Sequence, residues 1–269
     1  MNFAEILKSI FLGIVEGLTE WLPISSTGHM ILVNSFMKTD GFLTSDLYLY
    51  VIQFGAILAV VTMFFGKLNP FSPSKSAQEK KDTWDMWFKV IAACVPAGVF
   101  GLLLDNYMEH FENPYVIAST LIIYGILFII TENLNKTSTV NDMKSMTYKT
   151  ALLIGMFQVL SIVPGTSRSG ATILGAIMLG CSRSVAAEFS FFLAIPVMVG
   201  VSILKIAGNL DLITASSMAT LLVGMVVAYI VSMISIKFLM DFVKKHDFKC
   251  FGYYRIILGI IVLAYFMIV

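Results

Sequence analysis

The sequence predicts an all-α integral membrane protein with six transmembrane helices and two re-entrant helix-loop-helix pairs, arranged as an inverted-topology repeat. Three observations lead to this fold class. The 269 residues are 58% hydrophobic and only 13% charged, whereas a soluble domain has roughly 25% charged residues. Six apolar stretches are long enough to cross a bilayer, and the two halves of the chain share polar residues at a constant offset. The formal net charge of +1 provides no basic surface for phosphate backbones, so we expect no nucleic-acid partner.

The spanning helices follow from the lengths of the apolar stretches. A helix that crosses a bilayer needs ~20 largely apolar residues. The segments that meet this requirement are 46–66, 86–104, 115–132, 184–206, 217–240 and 252–269. We therefore predict six crossings.

Two further apolar segments, residues 4–37 and 149–181, are interrupted near their middle by polar residues and prolines. The first contains Glu16, Glu20 and Pro23, and the second contains the run from Pro164 to Gly170. Each half of either segment is too short to cross the bilayer. We expect each segment to enter the membrane and return to the same side.

The lysines predict the orientation of the chain, because positive residues collect in short cytoplasmic loops. With 67–85 on the inside, three crossings also put 133–149 and 241–251 inside. The basic residues of these segments are Lys67, Lys75, Lys80, Lys81, Lys136, Lys144, Lys149, Lys244, Lys245 and Lys249. The opposite side receives the acidic stretch 105–112 and the loop 207–216, with Lys8, Lys38 and Lys205 as its few basic residues. Both termini and the first re-entrant loop are then expected to face outward.

A shift of the sequence by 142 positions aligns polar residues and glycines of the first half with those of the second half. The aligned pairs include Gly13 with Gly155, Glu16 with Gln158, Ser25 with Ser167, Thr27 with Ser169, Gly28 with Gly170 and Asp46 with Glu188. We interpret residues 1–133 and 149–269 as two copies of one unit within a single membrane domain. Because each unit has three crossings, the second copy enters from the opposite face, and the two loops can meet near the midplane. Irregular backbone at that depth requires a protein-lined or water-filled polar cavity.

Glu16 and Glu20 are the candidate metal ligands of this cavity. Their spacing of four residues places both carboxylates on one helix face. Two like charges in an apolar helix need a cation, a proton or an arginine between them. Mg²⁺ is often held by one or two carboxylates together with phosphate oxygens of a substrate.

The run from Pro23 to His29 is the first candidate phosphate site. The exposed N–H groups of a helix start, together with the Ser25, Ser26 and Thr27 hydroxyls, would form an anion site. His29 lies close enough in sequence to transfer a proton near neutral pH. For Ser25 and Thr27, a role as helix caps alone is an equally good interpretation.

The second interrupted segment repeats this device and adds Arg168, which we assign as the only arginine of the membrane interior. A guanidinium fork matches phosphate oxygens, and Ser167, Ser169 and the Gly165 backbone would extend the cradle. We expect Glu188 to orient Arg168 or a loop backbone. The alternative role for Arg168 is a structural ion pair with Glu188 or Glu16.

At these residues the sequence resembles the undecaprenyl-diphosphate phosphatases associated with bacitracin resistance. The resemblance rests on Glu16-x-x-x-Glu20, on the adjoining run Trp21 to His29, and on Pro164 to Thr172. It implies hydrolysis of the lipid carrier undecaprenyl diphosphate to its monophosphate and inorganic phosphate, which recycles the carrier for cell-wall synthesis. It also implies a divalent cation (Mg or Ca) and a site at the outer face of the bacterial cytoplasmic membrane.

The resemblance also implies individual roles. Glu16 and Glu20 would hold the metal or position the attacking group, and Arg168 would bind phosphate. His29 would transfer a proton, Ser167 would bind phosphate, and Ser26 would bind phosphate or act as the nucleophile in place of water.

Two points stay open at the level of the sequence. Inverted repeats with broken helices are also typical of transporters, so a flippase of a prenyl phosphate is the alternative function. A homodimer is one arrangement that the sequence allows.

Overall fold

The computed structural model describes residues 3–37, 39, 41–108, 113–134 and 137–268, with the backbone alone for 105–108. Over these residues the fold is helical, and the only β-type pairing is an isolated parallel bridge between Val140 and Cys181. The α-helices are α1 Phe3–Thr19, α2 Ser26–Met37, α3 Asp46–Met63, α4 Phe65–Leu68, α5 Ala77–Met108, α6 Pro114–Asn133, α7 Tyr148–Val159, α8 Arg168–Met178, α9 Arg183–Gly208, α10 Ala215–Phe242 and α11 Lys249–Ile268. Lys38, Lys136 and residues 109–112 of the acidic stretch lie outside the described residues.

Six helices of this set are long and apolar enough to cross a membrane: α3, α5, α6, α9, α10 and α11. The predicted number of crossings is therefore confirmed for the described residues, and most boundaries lie within three residues of the expected ones. The largest difference is at α5, which begins at Ala77 rather than at residue 86. Its first turns are polar and carry Glu79, so hydropathy alone places the start of this helix too late.

The two interrupted segments each form a pair of short helices. In the first, α1 ends at Thr19 and α2 begins at Ser26; in the second, α7 ends at Val159 and α8 begins at Arg168. Pro23 and Pro164 lie in the two breaks, where the missing proline N–H cannot continue a helix. The helix-loop-helix organisation of both segments is therefore present.

Glycines allow the short helices to approach the long ones closely. A Cβ added at Gly13 would lie 2.7 Å from the Gly224 carbonyl oxygen of α10, and one at Gly17 would lie 2.8 Å from the Ala228 carbonyl oxygen. In the other half, Gly155 of α7 lies directly against the backbone of α5. Small residues at such contacts bring helix backbones together in membranes, where van der Waals packing drives association. These contacts fix α1 and α7, the helices that lead into the two loops.

The core surrounds the first loop and the start of α9. Trp21, Phe189, Phe191 and Phe192 are buried there, and the Trp21 ring packs edge-on against Phe191. On the outer surface the long helices carry exposed apolar side chains, for example Leu102, which is 79% exposed. Such a surface is stable in contact with lipid rather than with water.

Candidate active site

The two loops between the short helices lie in contact. We call residues 20–25 the first loop and residues 160–167 the second loop. The Ser169 hydroxyl, just after the second loop, lies 3.1 Å from the Glu20 carbonyl oxygen and 3.2 Å from the Leu22 carbonyl oxygen of the first. Residues almost 150 positions apart in the chain are thereby brought together.

Glu20 is the centre of this contact. Its Oε1 accepts a hydrogen bond from Arg168 Nη2 at 2.8 Å, and its Oε2 accepts one from the Ser26 hydroxyl at 2.7 Å. All three side chains belong to the predicted site, and one carboxylate joins them. The position between a hydroxyl and a guanidinium suits a group that accepts a proton beside a bound anion.

Arg168 is held from several sides. Its Nη1 donates to the Ser190 carbonyl oxygen at 2.8 Å, and its guanidinium lies 5.5 Å from the centre of the Trp21 ring. Thr172 hydrogen-bonds the Ser190 hydroxyl at 2.7 Å and so supports the same wall of the site. The Nε of Arg168 is buried without a partner in the described part of the chain. The expected alternative ion pairs with Glu188 or Glu16 are not formed, because Glu20 takes that place.

Glu16 lies one helical turn before Glu20 and is only 1% exposed. Its Oε1 is buried without a hydrogen-bond partner among the described residues. The Glu16 carboxyl also lies against that of Glu20, and a buried carboxylate oxygen without a partner is costly unless a shared proton, a ligand, an ion or water satisfies it. Glu16 Oε1, Glu20 and the Ser26 hydroxyl are hard oxygen donors, so the residues present fit a divalent cation such as Mg²⁺.

The protein supplies few ligands for such an ion. No group of three or more His, Cys, Asp or Glu side chains with metal-binding geometry occurs within the described ranges. Two carboxylates would therefore have to be completed by phosphate oxygens and water, which is the usual arrangement for Mg²⁺ at phosphate sites.

Ser25 and Ser167 have the same unusual backbone conformation. Their φ angles are 71° and 70°, and they are the only non-glycine residues with positive φ in the described chain. Each hydroxyl accepts a hydrogen bond from the backbone N–H three residues later, at 3.3 Å from Gly28 and 3.1 Å from Gly170. Both serines are thus helix caps, the role that the sequence left open for Ser25. A strained backbone of this kind is typical of functional sites.

Thr27 and His29 lie at the edge of the cluster. Thr27 is exposed. His29 Nδ1 lies 2.7 Å from the Ser25 carbonyl oxygen, and its Nε2 lies 2.7 Å from the Tyr254 hydroxyl, with the two rings stacked. Because a carbonyl oxygen only accepts, Nδ1 carries a proton, and Nε2 of the neutral ring accepts from Tyr254. Neither nitrogen is bonded to Glu20 or Arg168.

Comparison with known proteins identifies the family. Residues 9–261 match the family described as bacitracin resistance protein BacA. The chain belongs to this family. An undecaprenyl-diphosphatase of Latilactobacillus sakei is 58% identical over 97% of both chains. Proteins of the same name from Enterococcus faecalis and Acetivibrio thermocellus are each 55% identical, over 98% of this chain and 98% and 99% of theirs.

One expectation about the charges of this family member is wrong. Arg168 is not the only arginine of the membrane interior, because Arg255 of α11 is fully buried. Its Nη1 donates to the Pro23 carbonyl oxygen at 3.2 Å, and its Nη2 donates to the Gly165 and Thr166 carbonyl oxygens at 2.9 Å each. The available signal was a charged residue inside the apolar segment 252–269, which remains apolar enough to span despite it.

The role expected for Glu188 is also wrong. Its carboxylate accepts two hydrogen bonds from Lys67 Nζ, at 2.7 and 2.9 Å, and does not contact Arg168. Lys67 reaches it from α4, a short helix that hydropathy does not separate from α3. Tyr254 is another residue that sequence reasoning missed, since a tyrosine in a spanning helix is usually an interfacial anchor.

Gly165 is required for space as well as for its backbone groups. It has a φ of 84°, and an added Cβ would lie 2.7 Å from the Ile117 carbonyl oxygen of α6. Its carbonyl oxygen binds Arg255. The expectation that its backbone binds phosphate stays a prediction.

Proposed function

We propose that this chain hydrolyses undecaprenyl diphosphate to undecaprenyl phosphate and inorganic phosphate. The observation that carries the proposal is the junction of Glu20, Ser26 and Arg168 between two loops of a membrane protein. Family membership and full-length relatives named undecaprenyl-diphosphatase support the same activity. A polyprenyl diphosphate is the substrate that combines a lipid environment with an anionic reacting group.

The chain's own groups have separable roles in this reaction. The guanidinium of Arg168 and the first N–H groups of α2 and α8 would bind the terminal phosphate and stabilise its charge. Attack on the terminal phosphorus forms one P–O bond and breaks the bond to the bridging oxygen, which leaves with undecaprenyl phosphate. Glu20 takes the proton of the attacking group, and His29 can do so only after its Nε2 exchanges the Tyr254 hydroxyl for that group. Holding the groups in line would supply most of the rate enhancement.

The attacking group in this proposal is water. The Ser26 hydroxyl already donates to Glu20 Oε2, so the same carboxylate could activate either Ser26 or a water molecule. Single-turnover hydrolysis in ¹⁸O-water, with a search for phosphoserine, distinguishes the two routes. Trapping of a phosphate on Ser26 would rule out direct attack by water.

A divalent cation, Mg or Ca, completes the proposed site. Glu16 and Glu20 would hold it, and it would neutralise the charge of the diphosphate oxygens. The buried and unpartnered Oε1 of Glu16 supports this proposal.

We further propose that α1–α2 and α7–α8 are re-entrant pairs of an inverted repeat. The nearly equal φ angles of Ser25 and Ser167, which are 142 positions apart, support the repeat. So does the exchange of contacts between the two halves, in which α1 packs against α10 and α7 packs against α5. With the lysine-rich segments inside, the first loop faces the outer side of the bacterial cytoplasmic membrane.

Phosphate release by the purified protein in detergent tests the proposed function and separates it from a flippase. We expect release of inorganic phosphate from undecaprenyl diphosphate, whereas a pure flippase releases none. Arg168→Ala should lower kcat/KM by a factor of about 1,000, because it removes the charge-assisted contacts to phosphate. Arg183→Ala is the matched control, since it breaks another ion pair with a buried carboxylate, that of Glu132, outside the site. Normal hydrolysis by Arg168→Ala would contradict the site assignment.

A further inference from the structure

Arg255 is a buried cation that contacts both loops from a third part of the chain. It lies in α11, is 0% exposed, and donates to Pro23 of the first loop and to Gly165 and Thr166 of the second. No other described side chain is hydrogen-bonded to backbone carbonyls of both loops.

The geometry of the guanidinium explains why an arginine occupies this position. The carbonyls of an irregular loop lack helical partners and must find donors within the membrane protein. Arginine presents its donors on a rigid planar fork, so Nη1 can serve one loop while Nη2 serves the other. The ammonium of a lysine is a compact group that cannot span both loops in the same way.

The charge of Arg255 also lies next to the phosphate-binding elements. A Cβ added at Gly170, in the first turn of α8, would lie 2.9 Å from its Nη1. Its guanidinium lies 5.5 Å from the centre of the Tyr124 ring, and its hydrogen bonds within the described chain go to carbonyl oxygens rather than to a carboxylate. The positive charge therefore adds to that of the helix N-terminus that begins at Arg168.

We propose that Arg255 is a positioning residue for phosphate hydrolysis. It holds the first loop, which carries Glu20, in register with the second loop, which leads into Arg168. The inference rests on the proposed function for its kinetic consequence. It goes beyond that function because Arg255 acts on the reaction through the loops and contacts neither Glu20 nor Ser26.

Kinetics of Arg255→Lys and Arg255→Gln test this role. We expect kcat to fall by a factor of about 10 to 100 in both variants, because small misplacements of reacting groups are costly. KM should change by a smaller factor, and the lysine variant should retain more activity than the glutamine variant. Arg183→Lys is the matched control, because it replaces another guanidinium, the one that contacts Glu132, outside the site. This variant should keep the wild-type kcat.

A double-mutant cycle separates positioning from a loss of stability. In the Arg168→Lys background, the exact register of the loops matters less, so Arg255→Lys should lower kcat by a much smaller factor than it does alone. The proposal would be overturned if Arg255→Lys lowers kcat by the same factor in both backgrounds or leaves kcat at the wild-type value. It would also be overturned if the smaller folded fraction of the variant explains the whole loss of activity.

Hydrogen–deuterium exchange gives a readout that does not depend on catalysis. In Arg255→Lys we expect faster amide exchange confined to the two loops, residues 20–25 and 160–167, with unchanged protection of α9 and α10. Unchanged exchange in the loops, or faster exchange throughout the protein, would overturn the positioning role. If the wild-type protein releases no phosphate, the proposed function fails, and the exchange result alone then decides the role of Arg255.

Discussion

Glu20 uses both of its carboxylate oxygens, one for Ser26 and one for Arg168. Its neighbour Glu16 has an oxygen with no partner in the described chain. Two carboxylates one turn apart therefore differ in what they can still bind. Under the proposed function, Glu16 offers a ligand position to the cation, whereas Glu20 connects Ser26 with the anion-binding guanidinium of Arg168.

The double variant Glu16→Gln, Glu20→Gln should lose its response to divalent cations. Amides carry no charge to attract the ion, and Ser26 and Arg168, the side chains bonded to Glu20, supply no other carboxylate. Phosphate release should be titrated with Mg²⁺ and Ca²⁺ after chelation, with Glu79→Gln on the exposed start of α5 as the control. If the double variant responds to the metal as the wild type does, the ion must bind at another site.

Ser167 combines a cap with a backbone conformation that favours glycine. Ser167→Ala keeps the strained φ and loses the hydrogen bond to Gly170, so it should destabilise the protein by about 1 kcal/mol. Ser167→Gly loses the same cap but relieves the backbone, and its stability should stay within about 0.5 kcal/mol of the wild type. Thermal unfolding in detergent measures both, and a less stable glycine variant would contradict this account.

Sequence reasoning identified the residues of the site better than their partners. Glu20, Ser26 and Arg168 stand in recognisable motifs, and the repeat predicted that the loops meet. The hydrogen-bond acceptors of Arg255 are backbone carbonyl oxygens, which every residue has and which a sequence pattern therefore does not reveal. The Lys67 partner of Glu188 was equally hidden, because a long side chain can reach any of several neighbours.

At the scale of elements, α1 determines where both carboxylates lie. Glu16 belongs to α1, and Glu20 follows its last residue. The helix contacts α10 through Gly13 and Gly17, where neither residue leaves room for a side chain. A change at this contact should therefore be transmitted to the site as a rigid displacement.

Gly17→Ala tests this coupling. The new Cβ would lie 2.8 Å from both the Ala228 carbonyl oxygen and Val231 Cβ, so α1 has to move away from α10. We expect a loss of about 1–3 kcal/mol in stability and a fall of about tenfold or more in kcat.

Gly200→Ala is the matched control for this substitution. Gly200 also lies within a helix, but nothing stands within 4 Å of its added Cβ. Alanine should therefore be neutral or stabilising by up to about 1 kcal/mol. Equal effects of the two substitutions on stability and kcat would contradict the close contact of α1 with α10.

At the scale of the whole molecule, hydropathy predicted the six crossings and the positions of the two breaks. This works because a bilayer imposes both a minimum length and an apolar surface on each spanning helix. Hydropathy does not predict polar helix extensions such as the first turns of α5, because these turns lie beyond the apolar region.

The orientation can be measured with the native cysteines. Cys250 is exposed in the predicted inner segment 241–251, whereas Cys181 is buried, and burial raises the pKa of its thiol to about 11. A membrane-impermeant maleimide should therefore label the protein in inside-out vesicles but not in right-side-out vesicles, and Cys250→Ala should remove this signal. Ser216→Cys, added to Cys250→Ala, should reverse the pattern, because residue 216 lies in the predicted outer loop 207–216. Labelling of Cys250 in right-side-out vesicles would show that the orientation is opposite to the predicted one.

The ion pair between Glu20 and Arg168 has a consequence for turnover. The carboxylate stands where a phosphate oxygen would bind the guanidinium, so the chain carries its own competitor for the anion. Under the proposed function, the terminal phosphate of the incoming diphosphate has to displace Glu20 from Arg168 before it reacts. After hydrolysis this phosphate is no longer attached to the lipid, so the return of Glu20 to Arg168 favours the release of inorganic phosphate.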